Sequence, residues 1–123
     1  MAHEVSSAEV ISTEKFKDEI FDFTQSNDFE FKGTKPVILN FFAVWCGPCR
    51  NFAPVLDEAA TEYKDQIKVF KIDIDTDPEV PAMFGVQSVP TTIFFAPGQD
   101  PALAMGGMGH EGLKKAIADL FQL

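Results

Sequence analysis

Apolar and polar residues alternate in blocks along this chain, and the blocks switch between a two-residue and a 3.6-residue repeat, the periods of strands and helices. Val10-Ile11 is a short strand candidate. Ser12 or Thr13 can cap a helix running to about Thr24, with Phe16, Ile20 and Phe23 on one face. From Ser26 to Lys35 the chain is polar and turn-rich, yet Phe29 and Phe31 alternate with charges, so either a short strand or a lid over the core fits. Val37 to Ala43 is nearly all apolar, the pattern of a strand covered on both faces.

Phe52, Val55, Leu56, Ala59 and Tyr63 follow the helical repeat between Pro48 and Tyr63, and Pro54 inside that stretch should kink the helix by removing a backbone donor. Ile67 to Ile74 reads as a second central strand. Asp77-Pro78 has the form of a cap and first-turn proline opening a short helix to about Phe84. Thr91–Ala96 and Ala102–Met105 flank the connection Pro97-Gly98-Gln99-Asp100-Pro101, which suits an antiparallel hairpin. Leu113, Ala116, Ile117, Leu120 and Phe121 form one face of a closing helix. The sum is an α/β sandwich: a central mixed sheet flanked by helices, read as one domain over 1–123.

Composition narrows the function. Ten Lys+Arg against nineteen Asp+Glu give a formal charge of −9, which repels phosphate backbones and anionic headgroups, and no basic cluster offsets it. Nucleic acid and membrane surfaces are therefore not the expected partners. The opening Met1 to Glu9 lacks a basic start followed by an apolar run, so it does not read as a secretory signal, and the expected location is the cytoplasm. A monomer is the default.

Both cysteines sit in Trp45-Cys46-Gly47-Pro48-Cys49-Arg50, where a buried strand gives way to a helix. Two thiols two residues apart are a redox motif or part of a metal site. Zinc would need two more ligands, and the histidines, His3 and His110, match no zinc spacing. Arg50 stands where covalent haem attachment needs His. No cofactor is implied. A purely structural bridge remains as an alternative, although so short a loop constrains the unfolded chain little.

The reactive reading has a physical cause. A sulfur at the start of the helix lies beside unsatisfied N–H groups at the positive end of the dipole, which favours thiolate. A free thiol titrates near ~8.5; a helix terminus contributes ~0.3–1 kcal/mol and up to ~2, and each ~1.4 kcal/mol moves a pKa by about one unit. Cys46 would attack a target disulfide, and Cys49, less exposed along the helix, would resolve the mixed disulfide. Pro48 offers the thiolate neither donor nor charge, so the pair should tend to give electrons away.

Phe41-Phe42-Ala43-Val44-Trp45-Cys46-Gly47-Pro48-Cys49 resembles the active-site segment of thioredoxins, a family whose C-x-x-C chemistry is well characterised. The likeness continues through Phe52 to Glu58, Val69 to Asp75, Val89-Pro90-Thr91 and Gly106, and so covers most of the chain. The Phe29–Phe31 loop and the Pro-flanked hairpin loop are similar to those of thioredoxins from Bacteroides-like bacteria. The resemblance implies a thioredoxin-like three-layer sandwich and a protein-disulfide reductase recharged by a thioredoxin reductase and acting on disulfide-containing proteins. It implies a cis Pro90 facing Cys46, positioning the substrate, and a contact patch of Trp45, Gly47, Pro48, Ile74, Val89, Met105 and Gly106. It also locates a departure. The family usually places a buried Asp six residues before the first cysteine, with a Lys on the neighbouring strand; here Lys71 is present but the other position is Asn40. Asn cannot accept a proton, so Asn40 and Lys71 are expected to tune the thiols without a carboxylate base.

Two other functions compete at this point. A disulfide isomerase or oxidant is disfavoured by Gly47-Pro48 and the lack of a signal. A binding module would use the same apolar patch with the thiols incidental.

Overall fold

The structure, a computed structural model, describes residues 7–123. Five strands form one sheet: β1 (Glu9–Val10), β2 (Val37–Phe42), β3 (Lys68–Asp73), β4 (Thr91–Phe95) and β5 (Ala102–Met105). Four helices accompany them: α1 (Thr13–Glu19), α2 (Gly47–Glu62), α3 (Glu79–Met83) and α4 (His110–Phe121). The strand order is β1-β3-β2-β4-β5. β3 is parallel to β1 and β2, whereas β4 is antiparallel to both of its neighbours.

The apolar run in β2 has the predicted cause. Ile38 packs with Phe52, Leu56 and Ile117 of α2 and α4 on one face of the sheet, while Val37, Leu39 and Phe41 pack with Phe16 of α1 and Val80 of α3 on the other. Burial on both faces removes the need for polar alternation. The result is the expected three-layer α/β sandwich around a mixed sheet. No helix among the described residues is long and apolar enough to cross a membrane. His3 lies outside the described residues.

Two local expectations are corrected, and one open alternative is resolved. α1 stops at Glu19 rather than near Thr24: the N–H groups of Ile20 and Phe21 both donate to the Phe16 carbonyl, at 2.8 and 3.2 Å, and the Asp22 carboxylate then accepts the Thr24 N–H at 3.0 Å. An Asp bonded to the backbone two residues on competes directly with helix continuation. Phe23 still reaches the core from the turn, its ring 6.3 Å from that of Phe16.

Of the two alternatives for Ser26–Lys35, the lid is found and the strand is not. Phe29 and Phe31 stack on Phe95 with centroids 5.6 and 5.8 Å away, and the Lys32 N–H donates to the Ile20 carbonyl at 2.8 Å. Gly33 permits this, since a Cβ there would lie 2.3 Å from the tip of the Phe31 ring.

Asp77 does not cap the helix that follows it. Pro78 is the N-cap of α3 and makes no side-chain cap bond, while the Asp77 carboxylate accepts the N–H and hydroxyl of Thr13 at the start of α1. α2 continues as one helix past Pro54.

Candidate active site

β2 ends at Phe42, and the chain turns through Ala43, Val44 and Trp45, with the Cys46 N–H donating to the Ala43 carbonyl at 3.2 Å. Cys46 is the N-cap of α2, with extended backbone (φ −88°, ψ 111°), and Pro48 occupies the first helical turn, where its missing N–H costs nothing. The Cys46 sulfur takes the place of a capping oxygen: it accepts the Cys49 N–H at 3.2 Å. The same sulfur is bonded to that of Cys49, with Cα atoms 5.3 Å apart, so the structure is the oxidised state.

In this state the two cysteines are equally enclosed, Cys46 at 4% and Cys49 at 6% exposure. The expected contrast between an open Cys46 and a shielded Cys49 is absent, because the bridged Cys46 sulfur is turned onto the helix end and packs with Ala43, Ile74 and Val89.

The loop before β4 closes over the sulfurs. The Val89–Pro90 peptide is cis, and the Val89 carbonyl oxygen lies 3.7 Å from the Cys46 sulfur. Two bonds hold the loop: Thr91 Oγ1 donates to the Ser88 carbonyl, and the Gly106 N–H donates to the Pro90 carbonyl, each at 2.8 Å. Gly106 has φ +87°, a conformation that favours glycine. Around the sulfurs, Trp45 is 65% exposed, Gly47, Ile74 and Val89 are half-buried, and Pro48, Met105 and Gly106 are exposed. Of the residues expected in the patch, Ile74 and Val89 pack against the cysteines and Gly106 is bonded to Pro90, which is buried.

Three supports were not foreseen. Asp75 accepts the Trp45 indole N–H at 2.9 Å and fixes the ring beside the site. Asp75 is itself positioned by its own N–H, which donates to the Asp73 carboxylate at 2.9 Å. Arg50 Nη1 donates to the Val44 carbonyl at 3.0 Å across the turn. An acidic residue just past Ile74 was the available signal for Asp75; the Arg50 contact depends on the turn geometry and left no sequence trace.

Asn40 is buried in the centre of β2, and its Nδ2 donates to Thr92 Oγ1 on β4 at 3.3 Å. Lys71 is its register partner on β3, and the Lys71 ammonium sits 4.5 Å above the Phe42 ring. Lys71, Phe42, Arg50 and Ala53 line a pocket that reaches Cys49. The buried polar side chains among the described residues are Asn40, Thr91 and Thr92, none of them ionisable.

The thioredoxin family profile matches residues 8–119. The chain belongs to the thioredoxin family. It is 30% identical over 111 residues to a thioredoxin of Borreliella burgdorferi, spanning 90% of this chain and 95% of that one. It is 42% identical over 91 residues to a thioredoxin of Alicyclobacillus acidocaldarius, 74% of this chain and 87% of the other. A bifunctional thioredoxin reductase/thioredoxin of Mycobacterium leprae is 44% identical over 86 residues, 70% of this chain and 19% of that protein. Among solved structures, chloroplastic thioredoxin z superposes with a TM-score of 0.79 at 27% identity, covering 98% of this chain and all of the other. As a thioredoxin, the protein is a thiol-disulfide oxidoreductase that reduces protein disulfides through the reversible Cys46–Cys49 pair and works with a thioredoxin reductase.

Proposed function

We propose that Cys46 is the attacking thiol and Cys49 the resolving one, in a cytoplasmic, monomeric carrier built as one thioredoxin domain over the full chain. The observation that carries this assignment is the placement of the Cys46 sulfur at the α2 N-cap with the Cys49 N–H aimed at it. That bond and the helix dipole both stabilise negative charge on Cys46, whereas the Cys49 sulfur, further along the first turn, has no such bond of its own and lies less directly at the helix end.

The Cys46 thiolate attacks one sulfur of the target disulfide and displaces the other as a thiolate. The Cys49 thiolate then attacks Cys46 of the mixed disulfide, closing the intramolecular bridge and releasing the second target thiolate, so two electrons pass to the target. Val89 and Pro90 position the target chain, with the Val89 carbonyl available to an extended segment. Trp45, Gly47, Pro48, Ile74, Met105 and Gly106 complete the apolar contact surface. Asn40 and Lys71 act behind Cys49. With no carboxylate at position 40, solvent entering the pocket that Lys71 and Cys49 line takes the Cys49 proton.

The test is turnover of insulin by dithiothreitol with Cys46→Ser and Cys49→Ser variants. Both should abolish catalysis, and only Cys49→Ser should accumulate a mixed disulfide, through Cys46, visible by mass spectrometry. Full turnover by Cys49→Ser would overturn the dithiol mechanism and favour a docking module.

A further inference from the structure

β5 ends the sheet on one side, and a single contact fixes which of its backbone groups face outward. The Gly106 N–H donates to the Pro90 carbonyl at 2.8 Å, and the register pairs Thr91 with Met105, Thr92 with Ala104 and Ile93 with Leu103. Bonded and non-bonded pairs alternate along an antiparallel ladder. Pro90/Gly106 is bonded, so Thr92/Ala104 is bonded, and the pairs containing Met105 and Leu103 are not. Leu103 and Met105 therefore turn their N–H and C=O groups away from β4. They also carry the exposed side chains of the strand, 53% and 79% accessible, while Ala102 and Ala104 lean on the core.

Such an edge is ordinarily guarded by a charge, a proline, a bulge or extreme shortness. The opposite edge follows that rule: β1 has two residues and carries Glu9, paired with Lys15 at 3.0 Å. β5 has four residues, Ala-Leu-Ala-Met, in unbroken register with no charge and no proline. The unguarded edge also ends at the reactive sulfur, since Met105 precedes Gly106, which is bonded to Pro90, and the Val89 carbonyl lies 3.7 Å from Cys46 Sγ.

We propose that the outer edge of β5 is a docking track on which a target protein lays an extended segment flanking its disulfide, as a sixth strand. The segment pairs with the backbone of Leu103 and Met105 and places apolar side chains on theirs. At ~3.3 Å per residue, four or five target residues cover the edge. Continuity with the exchange site selects this occupant over a second copy of the chain, because a target must reach Cys46 in any case. The inference rests on Cys46 as the attacking thiol.

Leu103→Pro tests it, since proline on an edge strand removes an outward donor and leaves the inward ladder intact. Leu103→Lys adds a guarding charge and keeps the backbone, as an independent variant should the first fail to fold. Reduced protein is mixed with insulin and, separately, with a small aryl disulfide. The expected result is a roughly 3- to 10-fold loss of kcat/KM for insulin, carried by KM, with the aryl disulfide rate unchanged. Unchanged insulin kinetics in the folded variants, or equal loss on both substrates, would overturn the track. So would a concentration-dependent dimer that Leu103→Lys dissolves without altering insulin reduction. If the unaltered protein reduces neither substrate, it is the dithiol assignment that fails.

Discussion

The Asp77 carboxylate accepts both the backbone N–H and the hydroxyl of Thr13, each at 2.9 Å, and so ties the first turn of α1 to the segment that leads into α3. Ser12 satisfies the Lys15 N–H from the other side of the same turn. α1 is only seven residues long and depends on such outside partners, since isolated short helices are marginal.

Asp77→Ala should therefore cost about 1–2 kcal/mol, read as a lowered urea midpoint. The Thr13 backbone bond first, helped by the Thr13 and Thr76 hydroxyls, holds the Asp77 carboxyl below its ordinary value of 3.8. Its contribution is thus fully present above pH 3.8 and lost as the pH falls below that, through the depressed folded value. The variant should show a shallower loss of stability over that acid range; an unchanged slope would disprove the link.

Gly33→Ala should dislodge Phe31 from Phe95, because the added methyl meets the ring tip at 2.3 Å. Losing the aromatic pair costs about 0.5–1.5 kcal/mol. A double-mutant cycle checks the cause: in a Phe31→Ala background the same glycine substitution should cost close to nothing.

Asn40→Asp puts a buried carboxylate in the sheet centre, beside Thr92 and opposite Lys71. Like-charge repulsion should raise the Cys46 thiol pKa, followed through thiolate ultraviolet absorbance. The carboxylate also supplies a proton acceptor for Cys49, so resolution of the mixed disulfide should quicken at neutral pH. Stopped-flow profiles from pH 6 to 9 that match those of the unaltered protein would refute both effects.

Asp75→Ala frees the Trp45 indole, which is now held at 2.9 Å. With one hydrogen bond gone, KM for a protein disulfide should rise roughly 2- to 5-fold while the rate with a small disulfide holds.

The sheet and the reactive pair were legible because their signals are local: an unbroken apolar run for β2, a helical repeat for α2, and two cysteines at a strand-to-helix junction. What escaped the sequence depends on distant partners. Asp77 is suited by type to cap its own helix, and only the fold brings Thr13 close enough to claim it. Asp22 and Thr24 end α1 through a turn that competes with a helix-compatible apolar spacing. Phe29 and Phe31 alternate as a strand would, but they serve one stacking partner, Phe95, far along the chain.

Asn40 and Thr92 join the middle strands through a neutral hydrogen bond, and no ionisable side chain other than the two cysteines is buried among the described residues. With no buried carboxylic acid, the reduction midpoint of such a protein follows acidity chiefly through its thiols. Reduction of the bridge takes up two protons with two electrons, so that midpoint falls by roughly 59 mV per pH unit while both thiols stay protonated, and no interior carboxylic acid adds an inflection of its own.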